Sequence, residues 1–395
     1  MQTTMKFVVI AAAVGALAAC GNSDGEADAT APEPEQDAPL VVKIGHVGPT
    51  TGPIARLGKD NENGGRMAIE ALNAANITLG GRAATFELLA QDDAADPQQA
   101  TAAAQQLVAA KVNGVVGHLN SVTTIDASKI YSNAGLPQIS PSATNPTYTR
   151  QGFATTFRLL ADDAQLGNRL GHYAVETLSG KAIAVIDDRT GYGQSVADAF
   201  EQGVIAAGGS VIAREFTSDQ ATDFNAVLTA LKDKRPDVVF FGGMDTVAGP
   251  MLQQMKQMGI DAKLVGGDGI CSSNLPSLAG DALADDQVFC AEAGGVTNAD
   301  KAAIDKFRAD FQAKYVAAVQ VYAPYAYDAV MVMADAMKRA DSADPAVYLP
   351  FLAKTDGYQG LTGTISFDEK GDIKAGALSL MTYRGDARTA VAVIR

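Results

Sequence analysis

VVGHLNSVTTIDASKIYSNAGLPQISPSATNPT, from Val115 to Thr147, decides how this chain is read. An apolar strand ends at Gly117, a short loop follows at His118-Leu119-Asn120-Ser121, a helix starts near Val122 to Thr124, and a second strand runs from Leu136 to Ser140. That strand leads directly into Pro141-Ser142-Ala143-Thr144. Two neighbouring strands therefore end in hydroxyl residues, and one of them feeds a helix N-terminus whose free N–H groups favour an anion. Ligands of open α/β sheets bind outside the carboxyl ends of the strands, so Ser121, Ser142 and Thr144 stand where a carboxylate could be held. Taken alone, the same residues read more simply as a helix cap and an ordinary turn before Asn145-Pro146.

Working outward, Val41 to Val47 is a strand, Asn63 to Asn73 a helix, Thr85 to Ala90 a second strand, Pro97 to Ala110 a helix and Val112 to Val116 a third strand. Strand and helix alternate, which is the mark of a doubly wound parallel sheet. After Asp162 the pattern restarts with strands at Ala182 to Ile186, Ser210 to Phe216, Val238 to Phe241 and Lys263 to Gly266, each separated by a helix. The last third offers helices at Asp300 to Tyr315, Tyr325 to Arg339 and Pro345 to Lys354. Two strands, Gly363 to Phe367 and Leu378 to Tyr383, flank Asp368-Glu-Lys-Gly-Asp372, and a final strand spans Thr389 to Ile394. Helices that belong to neither half by sequence order imply that the chain crosses back, giving two lobes and a cleft.

The first 19 residues carry Lys6, no acid, and the apolar run FVVIAAAVGALAA, the h-region of a secretory signal. The run ends Leu17-Ala18-Ala19-Cys20-Gly21, which resembles the lipobox of bacterial lipoproteins and implies lipidation at Cys20. Residues 20–40 are acidic, proline-containing and without a large apolar residue before Leu40, so they are expected to tether rather than fold. With 31 Lys and Arg against 45 Asp and Glu, the net charge of −14 argues against nucleic acid or an anionic membrane surface as partner. Once Cys20 is lipidated, Cys271 and Cys290 remain, an even pair in an oxidising compartment; a disulfide or two buried thiols both fit.

Motifs for chemistry are sparse. The three histidines, His46, His118 and His172, have no metal-ligand spacing, and the sequence contains no HExxH, CxxC or EF-hand loop, no phosphate loop and no GxSxG elbow at Ser121. No metal or cofactor is expected, and no catalysis; His118 reads as structural, since no orienting carboxylate stands beside it in sequence. What remains is a set of residues just beyond strand ends: Ser121, Ser142 and Thr144 in the first half, Tyr192 and Asp268 in the second. Hydroxyls on one lobe and an acid with an aromatic on the other suit an α-amino acid, its carboxylate on the first set and its ammonium on Asp268.

Gly48-Pro-Thr-Thr-Gly-Pro53, Asp92-Asp93 with Asp96-Pro97, Gly117-His118-Leu119, Ile139-Ser-Pro-Ser-Ala-Thr144, Tyr192-Gly193, Gly242-Gly243 and Asp368-Glu-Lys-Gly-Asp372 follow one another in an order with a precedent. The chain resembles the leucine/isoleucine/valine-binding proteins of branched-chain amino-acid ABC transporters, over nearly all of its mature length. The resemblance implies the type I periplasmic-binding-protein fold: two doubly wound parallel-sheet lobes joined by hinge strands near Leu159 to Ala161, Gly294-Gly295 and Ile373 to Gly376. It assigns the ligand carboxylate to Ser121, Ser142 and Thr144, the ammonium to Asp268 and an aromatic contact to Tyr192. Leu57 and Met244 stand where familiar members carry tyrosines, and Ala95 and Asn120 where they pair two cysteines, so Leu57, Asn120 and Met244 are the positions expected to set side-chain preference.

The expected organisation is a lipoprotein signal at 1–19, a tether at 20–40, one lobe from 41–160 with 293–376, and a second from 161–292 with 377–395. The expected function is a lipid-anchored, monomeric, extracytoplasmic substrate-binding protein that closes on a branched-chain or other apolar amino acid and delivers it to an ABC permease. The alternative is the same fold taking a small amide, urea-like or aromatic ligand, in transport or sensing.

Overall fold

A computed structural model of the chain describes residues 39–293, 301–374, 376 and 378–394. The first half runs β1 (Leu40–Gly48), α1 (Ala55–Ala74), β2 (Thr78–Leu79), β3 (Arg82–Asp92), α2 (Pro97–Ala109), β4 (Gly114–Gly117), α3 (Ser121–Asn133), β5 (Gln138–Ser140) and β6 (Thr156–Arg158). The second runs α4 (Asp163–Glu176), β7 (Ile183–Asp187), α5 (Gly191–Ala206), β8 (Val211–Phe216), α6 (Asn225–Lys232), β9 (Val238–Gly242), α7 (Asp245–Met258), β10 (Lys263–Gly266), α8 (Leu275–Ala279) and β11 (Val288–Ala293). Then follow α9 (Lys301–Tyr315), α10 (Ala323–Ala340), α11 (Pro345–Ala353), β12 (Tyr358–Gly360), β13 (Gly363–Ile365), β14 (Leu378–Arg384) and β15 (Ala387–Ile394).

Two large sheets result, in the orders β2-β3-β1-β4-β5-β6 and β15-β14-β11-β10-β9-β7-β8. Within the first, β3, β1, β4, β5 and β6 run parallel; within the second, β8, β7, β9, β10 and β11 do. This is the doubly wound α/β architecture that the alternation of strand and helix implies. Strand β5 reads QIS with all three residues buried, and β9 reads VVFFG with all five, as strands covered on both faces should. Helices α1 and α10 cover one face of the first sheet, and α2 and α3 pack together on the other. The α1–α10 contact is close enough that a Cβ on Gly64 would lie 2.1 Å from the carbonyl oxygen of Ala323, so that position requires glycine.

The structure corrects several boundaries. α1 begins at Ala55, not Asn63, because its polar first turns, including Asp60 and Asn61, are buried rather than solvated. β6 and β11 have no counterpart in the sequence reading; β6 holds Arg158, a charge that disguises a fully buried strand. The two strands that flank Asp368 to Asp372 belong to different sheets. β13 pairs with β12 in a separate two-stranded sheet, while β14 pairs antiparallel with β11 and β15 and gives the second sheet an antiparallel edge.

The chain passes between the sheets after β6, after β11 and after β13. The first passage, Leu159 to Ala161, is buried throughout; Gly294-Gly295, and residue 375 within the third, lie outside the described residues, as do the signal and tether at 1–38 and with them Cys20. Among the described residues, no helix is long and apolar enough to cross a membrane.

Candidate functional site

Ser121, Ser142, Thr144, Tyr192 and Asp268 all lie just beyond the carboxyl end of a parallel strand, in a loop or the first turn that follows it. Ser121 is the first residue of α3, directly beyond β4, so its own N–H belongs to the turn that has no intrahelical partner. Its hydroxyl does not cap its own helix; it accepts the backbone N–H of Asn145 at 3.3 Å, which ties α3 to the loop after β5. In that loop the hydroxyl of Thr144 is buried without a partner. Ser142 behaves differently. Its hydroxyl donates to the carbonyl of Leu119 at 3.2 Å and accepts from Asn61 Nδ2 at 3.3 Å, so it fastens two loops of the first lobe together.

Across the cleft, Asp268 starts a 3-10 turn directly after β10 and is 2 % exposed. Tyr192, in the first turn of α5, donates to Asp268 Oδ1 at 2.9 Å and accepts from the N–H of Gly269 at 3.1 Å. Glycine is required on both sides of the aspartate, since a Cβ on Gly267 would come within 2.5 Å of the Tyr192 oxygen and one on Gly269 within 2.9 Å of its ring. Tyr322 donates to the other carboxylate oxygen, Oδ2, at 3.1 Å. Burial outweighs these two phenol hydrogen bonds and pushes the Asp268 pKa up to about 6. Cys271, three residues on, is bonded to Cys290 of β11 with Cα atoms 5.4 Å apart, which clamps the Asp268 turn to the sheet.

Tyr322 is a site residue that sequence reasoning missed. It precedes α10, and its backbone is fixed from α1: the Asp60 carboxylate accepts the N–H groups of Gln320, Val321, Tyr322 and Ala323 at 2.8–3.1 Å. Asp163 is another. It opens α4, is fully buried, and neither of its oxygens has a hydrogen-bond partner within normal geometry. Burial drives its pKa up to about 7; the hydroxyls of Thr144 and Ser195 pull it down and the neighbouring Asp268 charge pushes it further up. Thr144, Asp163 and Asp268 therefore lie close together, the Asp163 N–H donating to the Thr144 carbonyl at 2.8 Å. The only sequence signal for Asp163 is the doublet Asp162-Asp163, of which the first caps α4 by accepting from Gln165 N–H at 2.9 Å.

Other contacts join the two walls. Arg56 of α1 pairs with the fully buried Asp245 of α7, which also accepts from Ser272, and Asn145 Nδ2 donates to the carbonyl of Gly191 at 2.8 Å. A cavity of about 350 Å³ extends from Ser121 and Tyr192 between the walls, bounded by Ile54, Ala95, Asn120, Asp188 and Met244 among others. Asn120 and Met244 thus line it. Leu57 is buried in a small apolar cluster with Ile54, Leu119, Val321 and Tyr322, against which Met244 also packs. His118 does have an orienting carboxylate, contrary to the sequence reading: Asp93 lies 2.8 Å from Nδ1. Its Nε2 meets the Tyr131 hydroxyl at 3.0 Å, and all three groups are buried.

An arrangement of two α/β lobes whose facing strand ends present hydroxyls on one side and carboxylates on the other defines a two-lobed binding protein. The periplasmic binding protein family profile matches residues 41–387, and the chain belongs to that family. It is 36% identical over 346 residues to the leucine-, isoleucine-, valine-, threonine- and alanine-binding protein of Pseudomonas aeruginosa, covering 88% of this chain and 91% of that one. It is 31% identical to the leucine-specific-binding protein of Salmonella typhimurium, covering 89% and 93%. Among solved structures it is similar to a leucine-binding protein of Thermotoga maritima (TM-score 0.81, 26% identity, 90% and 99% covered). It is also similar to a branched-chain amino-acid transporter substrate-binding protein of Streptococcus pneumoniae in complex with isoleucine (TM-score 0.79, 28% identity, 89% and 99% covered).

Proposed function

We propose that this protein is the extracytoplasmic substrate-binding component of an ABC importer, that it binds an α-amino acid of modest side-chain size between its lobes, and that it hands the ligand to a membrane permease without catalysis. The observation that carries this reading is the gathering of two buried carboxylates, Asp268 and Asp163, and the buried Thr144 hydroxyl beside the cavity that Ser121, at the N-terminus of α3, and Tyr192, the partner of Asp268, line. The zwitterion's ammonium would sit between the carboxylates and its carboxylate on the hydroxyls and free N–H groups, so that each charge of the ligand meets its complement. Relatives named for leucine, isoleucine, valine, threonine and alanine support this size range.

Ligand contacts made from both walls stabilise the closed arrangement by their difference in free energy, which is closure about a hinge. The lobes we assign are 41–160 with 293–376 and 161–292 with 377–395, with Cys20 as the lipidated anchor, so the protein acts as a tethered monomer. A thermal-shift screen against the amino acids, small amides and aromatic acids tests the reading, since a ligand that binds only the folded chain raises the melting temperature by mass action. A rise with amino acids supports it. A rise confined to amides or aromatic acids replaces it with the alternative ligand class.

A further inference from the structure

Asp245 opens α7 on the second-sheet side of the cleft and is fully buried. Its Oδ2 accepts from Arg56 and from the Ser272 hydroxyl, and its Oδ1 has no partner. Arg56 belongs to the first turn of α1, on the first-sheet side, and its side chain is 23% exposed. Both ends of the pair are held from behind. The start of α1 presses so closely on the chain leaving β1 that a Cβ on Gly58 would lie 2.1 Å from the carbonyl oxygen of Pro49. Ser272 follows the bridged Cys271, and Tyr383 donates to its carbonyl at 2.8 Å. The residues lining the cavity beside Ser121 and Tyr192 include Ile54, Met244 and Thr246 but neither Arg56 nor Asp245, so the pair joins the walls next to the ligand space without entering it.

A pair placed in this way weighs differently on the closed and the separated arrangement. With the walls together, Arg56 supplies the cation that the Asp245 carboxylate meets; without it the charge would stay buried with one hydroxyl and the N-terminus of α7, which is costly. With the walls apart, water reaches the carboxylate and the cost disappears. The half-buried guanidinium loses less when its partner goes, because it already reaches water. We propose that Arg56 and Asp245 form a latch that favours closure and slows ligand release without touching the ligand. The proposal rests on the closure reading above and extends it, since such a latch acts equally on every amino acid the cleft takes.

Stopped-flow kinetics with leucine, valine and alanine on the full chain, comparing wild type, Arg56→Met, Asp245→Asn and the double variant, tests this. Arg56→Met is expected to speed the release of all three amino acids by about tenfold, with factors that agree within about twofold, and to leave the association rates within about threefold of wild type. Adding Asp245→Asn to Arg56→Met is expected to recover at least about threefold, because the stranded charge is then gone. Unchanged release from Arg56→Met overturns the proposal. So does a factor that differs widely among the three amino acids, which would put Arg56 in contact with the ligand, and so does a double variant that releases no more slowly than Arg56→Met. Each of these results leaves the amino-acid reading standing, whereas failure of all three amino acids to bind wild type overturns both.

Discussion

The hydroxyl of Tyr322 donates to Oδ2 of Asp268 at 3.1 Å, and the two residues belong to opposite walls of the cleft. Tyr322 is locked to α1 through the four N–H groups gathered by Asp60, and Asp268 is locked to its sheet by the Cys271–Cys290 bridge, so the contact joins two rigid supports. It closes the cleft partly through the protein's own groups, at the very carboxylate that a ligand ammonium would use.

Tyr322→Phe is therefore expected to lower the stability of the ligand-free protein by about 1 kcal/mol, since a buried carboxylate oxygen loses its donor. The same change should tighten amino-acid binding by up to about fivefold, because the ammonium then supplies what the phenol gave. Denaturant titration with and without ligand measures both; equal destabilisation of the free and bound forms would contradict the sharing of Asp268.

The raised carboxylates make binding depend on pH. Asp163 and Asp268, at about 7 and about 6, hold protons in the folded chain at pH values where the unfolded chain, near 3.9, has released them. The unfolded state then binds fewer protons, so the stability contribution of these groups falls as pH rises from about 4 to 7 and is level above that. An ammonium ligand favours the ionised forms, so binding at pH 5.5 should release protons and that at pH 8.5 should not. Calorimetry in buffers of different ionisation enthalpy reads this directly, and a heat independent of buffer at pH 5.5 would exclude both aspartates from the ammonium site.

Reducing the Cys271–Cys290 bridge should cost about 3 kcal/mol for a closed loop of this size in the chain-entropy account. Because Asp268 lies three residues before Cys271, ligand affinity should fall with it. Unfolding and binding measured with and without reductant check the pair; unchanged affinity would mean that the turn holds its shape unaided.

Arg158 is fully buried and donates to Asp372 at 3.0 Å through Nε, to the carbonyl of Asn145 at 2.9 Å and to the Thr149 hydroxyl at 2.9 Å. It thus connects the loop carrying Thr144 to the chain's third passage between sheets. Arg158→Met leaves Asp372 with the Thr149 hydroxyl, which donates to its Oδ1 at 2.8 Å, and the more distant Arg150, 3.7 Å away, and should destabilise the fold by roughly 3–5 kcal/mol, because a buried carboxylate loses its close cation. Chemical denaturation decides; a loss below about 1 kcal/mol would show that the carboxylate is not dependent on Arg158.

The elements legible in the sequence are those whose burial is apolar. Strands such as Val238 to Gly242 announce themselves by composition, and Ser121, Tyr192 and Asp268 by their place just beyond strand ends. Missed features depend on long-range polar pairing. β6 is hidden because its arginine is neutralised by Asp372, 214 positions away, and the early start of α1 because Asp60 serves a loop 260 positions on. Tyr322 and Asp163 acquire meaning only when the lobes face each other, which no local pattern encodes.

Calorimetric titration of wild type and Asp268→Ala with one amino acid, its amide and its deaminated acid tests the central claim most directly. The account predicts that only the intact amino acid binds tightly and that Asp268→Ala weakens it by roughly 2–5 kcal/mol, because removing one member of a buried charge-assisted contact leaves the other unpaired. A best ligand lacking the amino or the carboxylate group, or an Asp268→Ala protein that binds as tightly as wild type, would contradict it.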